Sequence, residues 1–165
     1  MKRILTLLLT ILLVATTLSA QNSKLLKTAK AEAKEYKKDG WQTIDGEPSL
    51  EQQVAKLLEY QISIDDAGEP KYYIVTSIAT KESYSKALRE ATNGCYMNIC
   101  SELYPKGMNI IYVNGEAVSS SFTPPTGFKL APEIPLLNIY RPKDGKVEVL
   151  VSYAFNRKQC IVSQQ

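Results

Sequence analysis

Residues 142–155 read PKDGKVEVLVSYAF, and this stretch decides the fold class. Asp144 and Gly145 are typical of a two-residue turn, because glycine readily adopts the positive φ that a tight hairpin requires. From Val147 to Tyr153, large apolar side chains occupy every second position, which is the period of a β-strand. Leu136 to Tyr140 supplies a β-rich run before the turn. The stretch therefore predicts an antiparallel hairpin.

The remaining segments predict an α+β fold. Helical periodicity covers Ser23 to Lys38, Ser49 to Gln61 and Glu82 to Leu103, and further β-rich runs cover 71–80, 109–113 and 117–122. Strands that cluster after a long helix predict an antiparallel sheet with that helix packed on one face, preceded by a two-helix N-terminal extension. We expect residues 1–20 to be a signal peptide, 21–62 the helical extension and 63–165 the α+β domain.

Three details of these segments carry specific expectations. The strand 71–80 is largely apolar on both faces, which favours a central strand or one covered on both sides. Ser49 and Gln52 form a capping-box pattern at the start of the second helix. Gly94 lies inside the long helix and indicates a kink or a close approach to another element.

The first twenty residues have the layout of a secretory signal. Lys2 and Arg3 precede a twelve-residue apolar run, and small polar residues lead to a cleavage position after Ala20. Twelve apolar residues are too few to span a bilayer, which needs about 20. The first cysteine is Cys95, so the N-terminal lipid attachment of a lipoprotein is not expected. These features predict export to the periplasm or the exterior, with no integral membrane span.

Charge and composition exclude several classes of protein. The chain has 20 basic and 17 acidic residues, and removal of the leader takes away two of the basic ones. Nucleic-acid binders carry a larger basic excess, so no nucleic-acid partner is expected. The lysine series between Lys24 and Lys38 fits the solvent face of a helix, with contact to a polyanion as the alternative. At 44% hydrophobic residues, the chain can form a core, so disorder is not expected.

Three cysteines allow at most one bridge within an exported chain. Cys95 and Cys100 lie five residues apart on different faces of one predicted helix. The candidate disulfides are therefore Cys100 with Cys160 or Cys95 with Cys160, and the alternative is three buried free thiols. The chain has no histidine and no C-x2-C spacing, so neither a metal site nor a cofactor is expected.

No catalytic residue is assigned, because the commonest general base is absent and no nucleophile or phosphate-binding motif occurs. Trp41 is expected to fill the core beside a helix end. The alternative is an exposed ligand platform formed by Trp41, Tyr72 and Tyr73.

Four segments resemble a known bacterial module: YYIVTSIA (72–79), SKALREA (85–91), PLLNIYR (135–141) and DGKVEVLVSY (144–153). Together they are similar to small exported proteins related to the lipoprotein-20 family and to the N-terminal domain of flagellar assembly protein T. The resemblance covers roughly 71–155 and departs from that family in lacking the lipid-attachment cysteine. It implies an envelope-associated structural or binding role, without established catalysis and without functional residues to transfer.

Two functions are therefore expected. The first is an exported, non-enzymatic cell-envelope protein that binds a protein partner through its sheet edge or its helical extension. The alternative is a periplasmic or secreted protein that binds or hydrolyses carbohydrate or peptide on the aromatic platform.

Overall fold

The computed structural model describes residues 23–114 and 116–161, so the expected signal peptide lies outside the described residues. These residues form three α-helices and five strands, which confirms the α+β class. The elements in chain order are α1 (23–38), α2 (Leu50–Gln61), β1 (Tyr72–Lys81), α3 (Tyr84–Leu103), β2 (Met108–Val113), β3 (Glu116–Phe122), β4 (Glu133–Lys143) and β5 (Lys146–Asn156), with short 3-10 turns at Pro105–Gly107 and Arg157–Gln159.

Strands β1, β5 and β4 form an antiparallel sheet in that order, with β5 in the centre. Asp144 and Gly145 join β4 to β5, both at positive φ, as the turn signal predicted. The capping box at the start of α2 is also confirmed: the Gln52 N–H donates to the Ser49 hydroxyl, and the Gln52 side chain accepts from the Ser49 N–H.

One face of the sheet packs against α3. We call this cluster the long-helix core; it contains Tyr96 and Phe155 in edge contact, with ring centroids 6.1 Å apart. Ala87 and Ala91 are fully buried, and their small side chains let α3 lie close to the strands. The buried members are Val75, Ala87, Ala91, Cys95, Ile99, Ala131, Val149, Val151 and Phe155.

The opposite face packs against α1 and α2, and we call this cluster the helix-pair core. Residues of the expected extension and of the expected α+β domain share it. Its buried members are Ala29, Ala33, Trp41, Leu50, Val54, Leu57, Leu136, Leu137, Ile139 and Ala154. The sheet is therefore covered by helices on both faces, an arrangement that local periodicity does not specify.

The sequence favours for β1 either a central strand or a strand covered on both sides, and the structure agrees in part with the second alternative. The odd residues of β1 face the long-helix core, and Tyr72 and Ile74 face the helix-pair core, so both faces are covered in part. Among the described residues, the strand nevertheless pairs only with β5 and lies at the sheet edge. Apolar side chains on both faces report coverage by helices, and they carry no information about the number of neighbouring strands.

Strands β2 and β3 form a separate two-stranded antiparallel hairpin. Phe122 at its base contacts Phe128, with ring centroids 5.0 Å apart. We call this hairpin, residues 108–114 and 116–122, the arm. Across the described part of the chain, no helix is both long and apolar enough to cross a membrane.

Candidate functional site

The three residues of the expected aromatic platform do not share a surface. Trp41 is buried in the helix-pair core, with 5% of its surface exposed, as a core-filling tryptophan would be. Tyr72 and Tyr73 are neighbours in β1, so their side chains point to opposite faces of the sheet. Tyr72 contacts the Tyr60 ring, whereas Tyr73 lies on the long-helix side. A ligand platform made of these three rings is therefore not assembled.

Arginines cover two of these rings. The Arg141 guanidinium lies 4.5 Å from the centroid of Trp41, and that of Arg157 lies 4.3 Å from the centroid of Tyr73. Such cation–π contacts add stabilisation and occupy the ring faces that a sugar or peptide would need. These aromatic residues therefore contribute to the stability of the fold.

The cysteines are three separate thiols in this structure. Cys95 is fully buried beneath the sheet, whereas Cys100 belongs to neither core and Cys160 packs at the margin of the long-helix core. The sulfur of Cys160 accepts a hydrogen bond from the Ala131 N–H at 3.4 Å. Neither candidate disulfide, Cys100 with Cys160 or Cys95 with Cys160, is formed.

The thiols are expected to react with iodoacetamide in the order of their exposure. Burial raises the pKa of Cys95 to about 12 and also raises the pKa of Cys100, so little reactive thiolate forms at either position. Cys160 is half-buried and should be alkylated first, with Cys95 last. Peptide mapping by mass spectrometry measures the order, and labelling in denaturant is the control. Recovery of a cross-linked Cys160 peptide from the native protein would contradict this arrangement.

The described residues contain no group of three or more cysteine, aspartate or glutamate side chains close enough to hold a metal ion. The best-connected carboxylate is Glu148, which is 4% exposed. It accepts from Arg141 at 2.7 Å, from Lys143 at 2.6 Å and from Thr80 at 3.2 Å. Burial raises its pKa, but the bonds from Lys143 and Arg141 outweigh burial and hold the pKa below its usual value. A buried carboxylate whose oxygens accept from three donors in this way stabilises the fold.

The outer edge of β4 is covered. The Asn138 N–H donates to Gln53 Oε1 at 2.7 Å, and Tyr140 exchanges both backbone hydrogen bonds with Gln42 at 2.8 and 2.9 Å. Lys56 Nζ donates to the Pro135 carbonyl at 2.8 Å. The loop after α1 and the side chains of α2 thus occupy the groups with which another strand would pair.

The outer edge of β1 is open. In an antiparallel pair, every second residue directs its N–H and C=O away from the neighbouring strand. The Arg157 N–H donates to the Lys71 carbonyl at 3.1 Å, which places the odd residues of β1 in hydrogen-bonded pairs with β5. The backbone groups of Ile74, Thr76 and Ile78 therefore point outward.

Little in the described structure covers this open edge. Between Tyr72 and Thr80, the outward groups have one hydrogen-bond partner among the described residues: Asn98 Nδ2 donates to the Thr76 carbonyl at 3.4 Å. Residues 72–80 contain no charge, proline or glycine, and the one charge of β1 is Lys81 at its end, which pairs with Glu90 of α3 at 3.1 Å. Sheet proteins normally protect an edge with such residues. The outer edge of β4 is thus covered by other segments, whereas the outer edge of β1 is largely open.

A groove of about 680 Å³ runs beside the open edge. Its volume is within the range of ligand sites. The groove lies between β1, the middle of α3 and the β3 strand of the arm. Its lining includes Ser77, Ile78, Gly94, Met97, Asn98 and Ser120.

Strand β3 also offers unpaired backbone groups. The Thr123 N–H donates to the Gly107 carbonyl at 2.8 Å, so the odd residues of β3 pair with β2 and Ser120 directs its backbone groups away from β2. Open strand edges therefore belong to both β1 and β3, the two strands that line the groove.

The sequence indicates a sheet edge as a binding surface but does not specify the strand. The uncharged run 72–80 is the signal that identifies it. No sequence signal indicates that Ser120 lines the groove, because its place there depends on where the arm lies relative to β1.

Comparison of the chain with models of protein families, with curated proteins and with solved structures finds no match. The resemblance to the lipoprotein-20 family and to flagellar assembly protein T stays a prediction.

Proposed function

We propose that this chain is an exported, non-enzymatic protein-binding module of the cell envelope, which binds an extended segment of a partner protein at the open edge of β1. The observation that carries the proposal is the contrast between the two edges: β4 is closed by Gln42 and Gln53, and β1 is open beside a groove. Export and envelope location rest on the leader sequence, and the non-enzymatic role on the absence of histidine and of catalytic motifs.

The bound segment would act as an added strand. Its backbone would pair with the outward groups of Ile74, Thr76 and Ile78, which supplies affinity independent of sequence. Alternate side chains would face Gly94 and Met97 of α3 or lie beside Ile78 on the opposite side. The helix-facing positions favour small residues, because α3 lies close to the sheet at Gly94.

A charge on the open edge should abolish this binding. Ile78 is 51% exposed, and Ile78→Lys would place an ammonium group beside the incoming strand without removing a bond to β5. Peptides selected on the purified full chain from a displayed random library are expected to bind this variant at least about tenfold more weakly, or about 1.4 kcal/mol. Isothermal titration calorimetry measures the change.

Ile62→Lys is the matched control, because Ile62 is 54% exposed and lies at the end of α2. It should leave the affinity unchanged. Amide hydrogen exchange of the bound wild type should slow at Ile78 and Thr76, with little change at their odd-numbered neighbours. Selected peptides that bind Ile78→Lys as tightly as wild type, or a selection that enriches none, would contradict the proposal.

A further inference from the structure

The groove beside β1 has a second strand edge on its far side. Ser120 of β3 lines the same groove as Ser77 and Ile78 of β1, and its backbone N–H and C=O point away from β2. Among the described residues, no hydrogen bond involves these two backbone groups of Ser120. The groove is therefore bordered by two strands that each have backbone groups available for pairing.

Both of these edges lack the residues that normally block strand pairing. Residues 117–122 of β3 contain no charge, proline or glycine, and the same holds for residues 72–80 of β1. Among the described residues that line the groove, the one charged side chain is Glu90, which already pairs with Lys81 at 3.1 Å. An uncharged strand can therefore enter between β1 and β3 without meeting an unpaired charge.

Helix α3 contacts both strands that border the groove. The base of the arm is packed closely against the end of this helix at Gly107. A Cβ on Gly107 would lie 2.6 Å from the Thr123 carbonyl oxygen and 2.8 Å from the Tyr104 ring. This close packing holds the outer edge of β3 beside the groove, so that β1, β3 and α3 together form its walls.

We propose that the partner segment that binds β1 also pairs with β3, so that it lies between these strands and joins them in one six-stranded sheet of order β4-β5-β1-segment-β3-β2. This inference rests on the proposed binding at β1. The side chains of the segment that face α3 are small, because Ser77 and Gly94 lie close together there. They are also uncharged, because the amides of Asn93 and Asn98 line the groove and Glu90 is already paired.

The two modes of binding differ in how many backbone groups of the segment are used. A strand with one neighbour pairs through every second residue, whereas a strand between two neighbours pairs through every residue. Replacement of one peptide N–H by N–CH3 removes a donor and blocks the approach of the strand that it faced. An N-methyl scan of the bound peptide therefore distinguishes insertion between β1 and β3 from addition to β1 alone.

The scan uses peptides selected on the purified full chain from a displayed random library, each resynthesised with a single N-methyl group at successive positions. Insertion predicts a loss of affinity of about tenfold at consecutive positions in the centre of the peptide, measured by isothermal titration calorimetry. Losses confined to every second position would overturn the insertion but leave the binding at β1 intact. If the scan shows no losses and Ile78→Lys binds as tightly as wild type, both proposals are wrong.

A matched pair of variants tests the same pairing from the side of the arm. Ser120→Pro removes the N–H that points into the groove without removing a bond to β2, and proline is tolerated at such a position of an edge strand. It should weaken the selected peptides about tenfold. Ile110→Pro is the control, because the Ile110 N–H points outward from the opposite edge of the arm. It should leave the affinity unchanged, and equal losses in the two variants would contradict the insertion.

Amide hydrogen exchange of the wild type needs no substitution. On addition of a selected peptide, exchange should slow at Ser120 as well as at Ile78, and it should not change at Ile110. Slowing at Ile78 without slowing at Ser120 would overturn the insertion alone. A Ser120 amide that is already protected without peptide would also overturn it, since a segment of this chain or a second copy would then occupy the groove.

Discussion

Replacement of Gly94 by valine is expected to destabilise the folded chain by about 3 kcal/mol, the upper range for overpacking a close contact. Helix α3 lies against β1 at this residue: a Cβ on Gly94 would clash with Ser77 Oγ and lie 3.1 Å from Ser77 Cβ. Gly94 stays within the regular helix, so the close-approach alternative predicted from the sequence is the correct one. Urea unfolding followed by circular dichroism measures the change.

Asn93→Val is the matched control for Gly94→Val. Asn93 is the exposed helical neighbour, so its substitution reports helix propensity without the contact to the sheet. A double-mutant cycle of Gly94→Ala with Ser77→Gly should give a favourable coupling of about 1 kcal/mol or more, because the second change removes both obstructing atoms. Equal losses in Gly94→Val and Asn93→Val would show that α3 does not approach β1 here.

Replacement of Arg141 by alanine is expected to cost about 2–3 kcal/mol. Its Nε and Nη2 atoms lie 2.7 and 2.6 Å from Glu148 Oε2, and its guanidinium also covers Trp41 and donates to the Asp39 carbonyl. The variant leaves a buried carboxylate with fewer donors, which is costly because burial removes water as a substitute. Lys143→Ala should cost less, since Lys143 is half-exposed and Glu148 would keep Arg141.

The contribution of Glu148 should depend on pH. Because its folded-state pKa is lowered, ionisation stabilises the fold above the usual carboxyl range, and this stabilisation is lost as pH falls through the folded-state pKa. The difference in free energy of unfolding between wild type and Glu148→Gln should therefore be largest near neutral pH and shrink in acid. Urea titrations at several pH values measure it. A difference that does not change with pH would contradict this role.

Local sequence signals predicted the elements of this fold well. The Asp144-Gly145 turn, the capping box at Ser49 and the helical periodicity of α3 follow from rules that span a few residues. The order of the strands in the sheet could not be predicted from these local signals, because apolar faces on β1 do not distinguish a central strand from an edge strand covered by helices. Glu148 falls at a polar position of β5, and its burial depends on Arg141 and Lys143 across the hairpin.

The candidate site was predictable only in part. A sheet edge was expected, but the choice of β1 depends on Gln42 and Gln53, which close β4 from 98 and 85 residues away. The aromatic platform is not assembled for a related reason: a tryptophan after a helix can face a ligand or the core, and the packing of Trp41 in the helix-pair core depends on distant segments.

The closure of β4 by earlier segments has a consequence for synthesis on the ribosome. Residues 42–56 leave the ribosome well before residues 133–143, because chains are made from the N-terminus. The segments that shield β4 have therefore already been synthesised when that strand emerges, and they are available to cover its backbone before a foreign strand does. A chain that lacks the residues from its N-terminus through α2 would expose the unpaired outer edges of both β1 and β4. We expect such a chain to aggregate readily.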